Sequence, residues 1–248
     1  MPKFFVNHEN IKEEKIKILG EDVNHIKNVL RRNIKDKIEI CDGGSGQNYL
    51  CEIQEIEKDK IICNIIERIE GIAEPCTHVH IYQGLPKSDK MELIIQKAVE
   101  LGVSEITPVN MSRCIVKLDG KEQKKKIERW QKISEVAAKQ SGRDIIPKIN
   151  NICNINEISK QCEEYDIILL AYENEKENKL KKEIEALKNL QKKKLKIAVI
   201  VGPEGGIAPE ELEKIQKEGA KVITLGERIL RTETVALNIL SIIMYEFE

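Results

Sequence analysis

The chain has 248 residues, 41% hydrophobic and 33% charged, which suits a large domain plus a small one, each with a core and a heavily charged surface. Its net charge of −1 excludes a uniform polycation, so nucleic-acid binding has to rest on a local patch. Seven cysteines without a C-x-x-C, four histidines without paired spacing, and an N-terminus M-P-K-F-F-V-N-H-E-N with no apolar leader point away from a disulfide framework, a metal site, secretion or a membrane span, and lead us to expect a soluble cytoplasmic protein.

Residues 1–70 read as a small β-rich unit. Residues 37–41 alternate in polarity, 42–46 (D-G-G-S-G) form a turn, and 49–56 and 60–66 continue the strand pattern. A helix is expected over 21–33, with Val23, Ile26, Val29 and Leu30 on one face and Arg31 and Arg32 at its negative end. Those arginines serve either as capping and solvation or as RNA contacts. Residues 71–77 (G-I-A-E-P-C-T) read as a linker.

Beyond it the pattern becomes strand alternating with helix. Residues 78–83 form a strand. Asp89 and Glu92 are spaced as a capping box for a helix whose stripe is Met91, Ile94, Ile95, Ala98 and Leu101, ended by Gly102. Residues 106–109 are the next strand, and 121–140 a long helix with Ile127, Trp130, Ile133, Val136 and Ala137 inward. Residues 112–148 hold eleven Lys or Arg against five Asp or Glu, either a solvated face or a phosphate track. Residues 165–171 form a buried strand, and 173–196 an exposed helix with Leu180, Ile184, Leu187 and Leu190 inward.

A strand over 195–201 runs into the loop G-P-E-G-G, followed by a helix opened by Pro209 and closed by Gly219, and a strand at 220–225. The last helix starts near Thr232 as N-cap and is apolar nearly all round, so burial on more than one side is expected, as in a subunit interface. The β-α-β-α order implies a mostly parallel sheet with helices on both faces.

Ligands bind such sheets outside the carboxyl ends of their strands. Two loops fall there: 201–206 (V-G-P-E-G-G) and 225–234 (L-G-E-R-I-L-R-T-E-T). The glycines let backbone approach a ligand closely. Neither loop carries G-x-x-x-x-G-K-[ST] or G-x-G-x-x-G, which argues against nucleoside triphosphates and dinucleotides. Arg231 and Glu233 bring charge to the start of an apolar helix, and so need either each other or a task.

These two loops resemble those of the SPOUT methyltransferases and, more narrowly, of the bacterial 16S ribosomal RNA uridine-N3 methyltransferase family. H-I-K-N-V-L-R at 25–31, L-P-K at 85–87, Q-K-A-V-E-L-G-V at 96–103, S-R-C at 112–114 and Q-S-G-R at 140–143 extend the resemblance over essentially the whole chain. It implies a PUA-like β-barrel that grips RNA (1–71) and an α/β SPOUT domain with a trefoil knot (72–248). It further implies S-adenosylmethionine as cofactor, no metal, a homodimer, and 16S ribosomal RNA in the small subunit as partner.

By position, Leu170, Val201, Gly202, Pro203, Glu204, Gly205, Gly206, Leu225, Gly226, Ile229, Leu230, Thr234 and Ala236 would hold the cofactor. Arg31, Arg32, Lys87, Arg113 and Arg143 would meet RNA. Lys139 stands where the family usually has an acid before the Gln of Q-S-G-R. Transfer to uracil N3 needs that nitrogen deprotonated or its anion stabilised. Arg231 is expected to face an anionic uracil oxygen, and Glu233 to orient it or accept the proton. The rivals are a related enzyme acting on a tRNA base or a ribose 2′-hydroxyl, and a non-catalytic assembly factor.

Overall fold

A computed structural model describes residues 3–248. The chain divides into two units: residues up to Glu74 together with Ala138–Ile146, and Pro75–Ala137 together with Pro147–Glu248.

In the first unit, β1 (Lys3–Val6), β2 (Ile11–Lys12), β3 (Lys15–Leu19), α1 (Glu21–Asn24), β4 (Lys37–Asp42), β5 (Asn48–Ile56) and β6 (Lys60–Ile69) follow one another. The strands make one six-stranded sheet in the order β1-β4-β5-β6-β3-β2. β1 joins β4 in parallel and the other pairs are antiparallel. Because β1 also touches β3, the sheet curls back on itself. Alternation explains the core: every second residue of β3, Ile16 and Ile18, is fully buried, as are Ile38 and Ile40 of β4. The helix expected over 21–33 is shorter. α1 passes into a π-helical turn at His25–Val29, closed by Leu30 N–H on the His25 carbonyl at 2.9 Å, which turns Val29 out to solvent.

The segment Ala138–Ile146 is tied into this unit by buried charge. Arg143 is 4% exposed and its guanidinium donates to both Glu74 oxygens, at 2.9 and 2.6 Å. Glu74 also accepts the backbone N–H groups of Asp144 and Ile145. Asp144 accepts from Lys3, from Asn48 Nδ2 at 2.6 Å and from the Ala73 N–H at 2.9 Å. Burial by itself would raise the Asp144 pKa; these hydrogen bonds outweigh it and hold the carboxyl below its usual range.

The second unit contains β7 (His78–Gly84), α2 (Lys90–Glu100), β8 (Glu105–Val109), the body of α3 (Gly120–Ser141), β9 (Lys148–Ile149), α4 (Ile155–Ser159), β10 (Ile167–Ala171), α5 (Leu180–Lys188), β11 (Lys196–Val201), α6 (Pro209–Lys217), β12 (Lys221–Ile223) and α7 (Thr232–Phe247). Its six strands lie in the order β12-β10-β11-β7-β8-β9, every pair parallel. The strands read as continuous apolar runs because both faces are covered; Ile197 to Val201 are all buried.

Several local expectations change. Asp89 precedes α2 but its side chain makes no cap, and Glu92 instead pairs with Arg129 at 2.8 Å. On α3, Trp130, Ser134 and Ala137 face inward, while Val136, expected inward, is 67% exposed. The helix expected over 173–196 is confined to α5. Residues 173–179 contain no apolar side chain, so nothing anchors a helical stripe before Leu180.

Candidate functional site

β12, β10 and β11 are neighbours and parallel, so their C-terminal ends release three loops along one edge: 172–179 after β10, 202–208 after β11 and 224–231 after β12. Each loop is folded by its own polar groups. In the first, Glu175 Oε1 accepts the backbone N–H groups of Lys176, Glu177 and Asn178 at 3.0, 2.8 and 3.0 Å, and these bonds lower the Glu175 pKa. In the second, the Gly206 N–H closes a turn on the Pro203 carbonyl at 2.9 Å, and Arg113 Nη1 donates to the Gly205 carbonyl at 3.1 Å. In the third, Gly226 sits at φ +107°, which a residue with a Cβ rarely adopts, and its N–H meets Thr224 Oγ1 at 3.2 Å.

The three loops and the first residues of α2 and α7 enclose a cavity of about 520 Å³, within the size range of small-molecule sites. Ala171, Val201, Ile207, Ile223, Leu230 and Val235 give it apolar walls. Of the residues expected to bind cofactor, Val201, Gly202, Pro203, Glu204, Gly206, Leu225, Gly226, Ile229 and Leu230 line it. Four are placed otherwise. Leu170 is buried one residue below Ala171, Gly205 lies against Arg113, Ala236 is fully buried in α7, and Thr234 is exposed. Glu173, Glu175 and Lys176 line the cavity and were missed, because their run of charge reads as a solvated helix; Tyr172, just past the expected strand, lines it too.

The start of α7 is fixed by a buried chain of hydrogen bonds. Thr232 Oγ1 donates to the Gly202 carbonyl at 2.7 Å and accepts from Gln83 Nε2 at 2.8 Å, and Gln83 is fully buried. Thr232 therefore does not cap the helix. Arg231 is the N-cap residue, its carbonyl accepting the N–H groups of Thr234 and Val235, and the freed hydroxyl joins the glycine loop to β7 instead.

Arg231 lines the cavity, whereas Glu233 does not and the two are not paired. Lys90, the first residue of α2, comes between loop and helix. Its Nζ is 2.9 Å from Glu204 Oε1 and 3.3 Å from Glu233 Oε2, both approaches being ion pairs rather than aligned hydrogen bonds. Glu204 also accepts the Lys87 backbone N–H at 3.1 Å. Burial would raise the Glu204 carboxyl; the contacts from Lys90 and the Lys87 N–H lower it on balance. The Glu204 contact in turn raises the Lys90 ammonium.

The expected RNA-contacting residues fall in both units. Lys87 and Arg113 both hang on the glycine loop, with exposed side chains. In the first unit Arg31 is exposed at φ +51°, and Arg32 is half-buried. Arg143 departs from the expectation: its guanidinium is buried against Glu74 and presents no surface to a phosphate. Lys139 donates to both Asp22 oxygens at 3.3 and 3.0 Å, so the acid of this pair stands on α1.

Family comparison agrees with this geometry. The RNA methyltransferase domain family matches residues 73–244, and the RNA methyltransferase PUA domain family matches residues 18–66. A parallel sheet with its cavity at the strand ends, following a curled sheet of PUA type, thus defines the class: a two-domain RNA methyltransferase.

The relatives narrow it. Ribosomal RNA small subunit methyltransferase E of Bacillus subtilis (strain 168) is 39% identical over 231 residues, 93% of this chain and 90% of the relative. The crystal structure of ribosomal RNA small subunit methyltransferase E from Neisseria gonorrhoeae, bound to S-adenosyl methionine, superposes with a TM-score of 0.84 at 29% identity, covering 99% of this chain and 97% of the other. A methyltransferase from Legionella pneumophila, in complex with its bound cofactor SAM, superposes at 0.82 with 26% identity, covering 98% and 97%. The chain belongs to the ribosomal RNA small subunit methyltransferase E family.

Proposed function

We propose that this protein transfers a methyl group from S-adenosylmethionine to N3 of a specific uridine in the 16S ribosomal RNA of the small subunit. The observation that carries the reading is the cavity shared by three strand-end loops, in a chain whose structural neighbours hold S-adenosylmethionine.

The lining suits that cofactor. Apolar walls at Val201, Ile223 and Leu230 accept an adenine ring; Glu173, Glu175 and Glu227 offer acceptors for hydroxyl and amino groups and negative charge for a sulfonium; Lys176 and Arg228 offer cations for a carboxylate. When bound, S-adenosylmethionine supplies an electrophilic methyl group on a sulfur that departs as a neutral thioether. The rest is the task of the chain. Uracil N3 carries a proton, which has to leave to solvent or a base before the nitrogen attacks. Arg231, at the cavity wall, is assigned to a uracil oxygen that gains charge, and Glu233, which pairs with Lys90, to accepting the N3 proton.

Further parts of the reading follow the same way. The first unit grips RNA with Arg31 and Arg32, and Lys87 and Arg113 of the second unit meet it too. After β12 at the sheet edge, the chain returns to the middle of the sheet, where Thr232 meets Gly202 and Gln83; such a return supports a threaded trefoil loop. The enzyme acts in the cytoplasm as a homodimer.

The deciding experiment supplies labelled S-adenosylmethionine and small ribosomal subunits from a strain lacking the enzyme, then maps the label by mass spectrometry of digested RNA. Label at a single uridine N3 upholds the reading. Label on another base or on a ribose 2′-hydroxyl replaces the target. Absence of S-adenosylmethionine binding by calorimetry replaces the enzyme with a non-catalytic assembly factor.

A further inference from the structure

Lys90 is a cation where helix physics disfavours one. It is the first residue of the eleven-residue α2, at the positive end of the helix dipole. Two carboxylates from two other elements offset this: Glu204 of the glycine loop at 2.9 Å and Glu233 of α7 at 3.3 Å. An ammonium has three N–H donors. The two acids hold it by ion-pair contacts rather than aligned hydrogen bonds, and the side chain lines the cavity, which leaves N–H capacity for what enters it. Arg231, by contrast, is exposed and makes no ion pair among the described residues.

We propose that Lys90 is a further catalytic residue, with an N–H that donates to the second of the two uracil oxygens flanking N3, opposite the one assigned to Arg231, as N3 loses its proton. This rests on the N3-methyltransferase reading above. Glu204 and Glu233 hold the ammonium in place before substrate arrives, so little reorganisation is needed as charge develops. They also keep it protonated: the Glu204 contact, the largest influence, raises the ammonium above its ordinary value. Other charges facing the cavity are Glu173, Glu175 and Lys176 from the loop after β10, and Glu227, Arg228 and Arg231 from the loop after β12. Among the described residues the ion pairs of Lys90 are with Glu204 and Glu233, and these set the chemistry of its remaining donor.

A donor that stabilises the N3 anion leaves a signature in the pH profile. With Lys90 present, N3 loses its proton at lower pH. Without it the same deprotonation needs higher pH, so the rate deficit of Lys90→Met is largest at neutral pH and shrinks as pH rises toward 10. A residue that only braces the loops gives a deficit independent of pH.

The experiment measures single-turnover methylation of small subunits lacking the modification, from pH 6.5 to 10, for the wild type, Lys90→Met and Lys90→Arg. Calorimetry with S-adenosylmethionine runs alongside. Lys90→Met is expected to lose on the order of a hundredfold in rate at pH 7, to regain most of it at pH 10, and to bind cofactor within a few fold of the wild type. Lys90→Arg keeps the wild-type shape of the profile at a reduced rate. A parallel, pH-independent drop in Lys90→Met overturns the proposal, as does a Lys90→Arg profile shifted like that of Lys90→Met, which remains informative if the Met variant does not fold. Failure of the parent reading looks different: the wild-type enzyme itself then places no label on uridine N3.

Discussion

At the residue scale the glycines divide into two kinds with different predicted costs. A Cβ on Gly84, at the end of β7, would stand 2.7 Å from both the nitrogen and Cδ of Pro203. Both are parts of the backbone-locked proline, so the glycine loop has to move. Gly84→Ala is expected to destabilise the protein by roughly 1–3 kcal/mol and to weaken S-adenosylmethionine binding at least tenfold, read by urea denaturation and calorimetry. At Gly226 a Cβ has open space, and the obstacle is the φ of +107° alone. Gly226→Ala therefore costs on the order of 1–3 kcal/mol of local strain, carried by a loop with room to relax. Its effect on affinity should be the smaller of the two, and an equal or larger loss would show that the loop after β12 is the more tightly specified wall. That a glycine-rich loop follows β11 was legible, because V-G-P-E-G-G ends an apolar run, though a tight strand-to-helix turn uses the same residues. Lys90 was not: in S-D-K-M it reads as a solvated residue beside a helix cap, and only the folded chain brings Glu204 and Glu233, from far along the sequence, to it. Its one sequence signal was a cation at a helix N-terminus.

At the element scale, β7 carries two different buried polar arrangements. At its end, Gln83 holds Thr232, and Thr232 holds Gly202. Thr232→Val keeps the shape and removes the hydroxyl, so the Gly202 carbonyl loses that donor and the buried Gln83 amide keeps only its bond to the Gly84 carbonyl. The expected loss is about 1–3 kcal/mol, with weaker cofactor binding because the α7 turn and the glycine loop separate. Unchanged melting would mean that neither partner depends on the hydroxyl. Nearer its start, His80 is 3% exposed between Tyr165 OH at 2.6 Å and Thr107 Oγ1 at 2.7 Å. Burial holds its imidazole down at about 4, against the pull of Glu105. Between its ordinary value near 6.5 and 4, the unfolded chain binds a proton that the folded one refuses. Stability therefore falls as pH drops through that window, by up to roughly 3 kcal/mol, and this contribution stops changing below it. Urea denaturation at pH 7 and pH 4.5 measures the fall, and in His80→Gln it should be markedly smaller. Element order was legible from alternation and helical stripes. The wall at 172–179 was not, since Glu175 makes its turn by gathering backbone N–H groups, an arrangement with no periodicity to detect.

At the scale of the whole molecule, charge and oligomeric state are decided by faces that the chain does not cover itself. On α3, Lys121, Lys124, Lys125 and Lys132 are exposed, while Arg129 is taken by Glu92. If this face tracks phosphates, replacing Lys124, Lys125 and Lys132 by Gln weakens binding to the small subunit and lowers the slope of log affinity against log salt by about 0.7–0.9 per lost contact. An unaltered slope would make the face merely solvated. The homodimer proposed above is assigned to α7. The sequence suggests apolar residues nearly all round, yet the exposed positions fall on one stripe of Thr234, Asn238, Ser241 and Tyr245, spaced at one helical face, with Leu237 and Ile242 half-buried beside it. Apolar character in the sequence was therefore a correct guide to the buried side and a poor one to the free side. Small polar residues let a second helix approach closely, and Tyr245, 86% exposed, supplies an amphipathic anchor of the kind found at interface hot spots. The wild type is expected to sediment as a dimer and Tyr245→Arg as a monomer at the same concentration, since an isologous contact meets the added charge from both sides. A monomeric wild type, or a Tyr245→Arg variant that remains dimeric, would move the interface off this stripe.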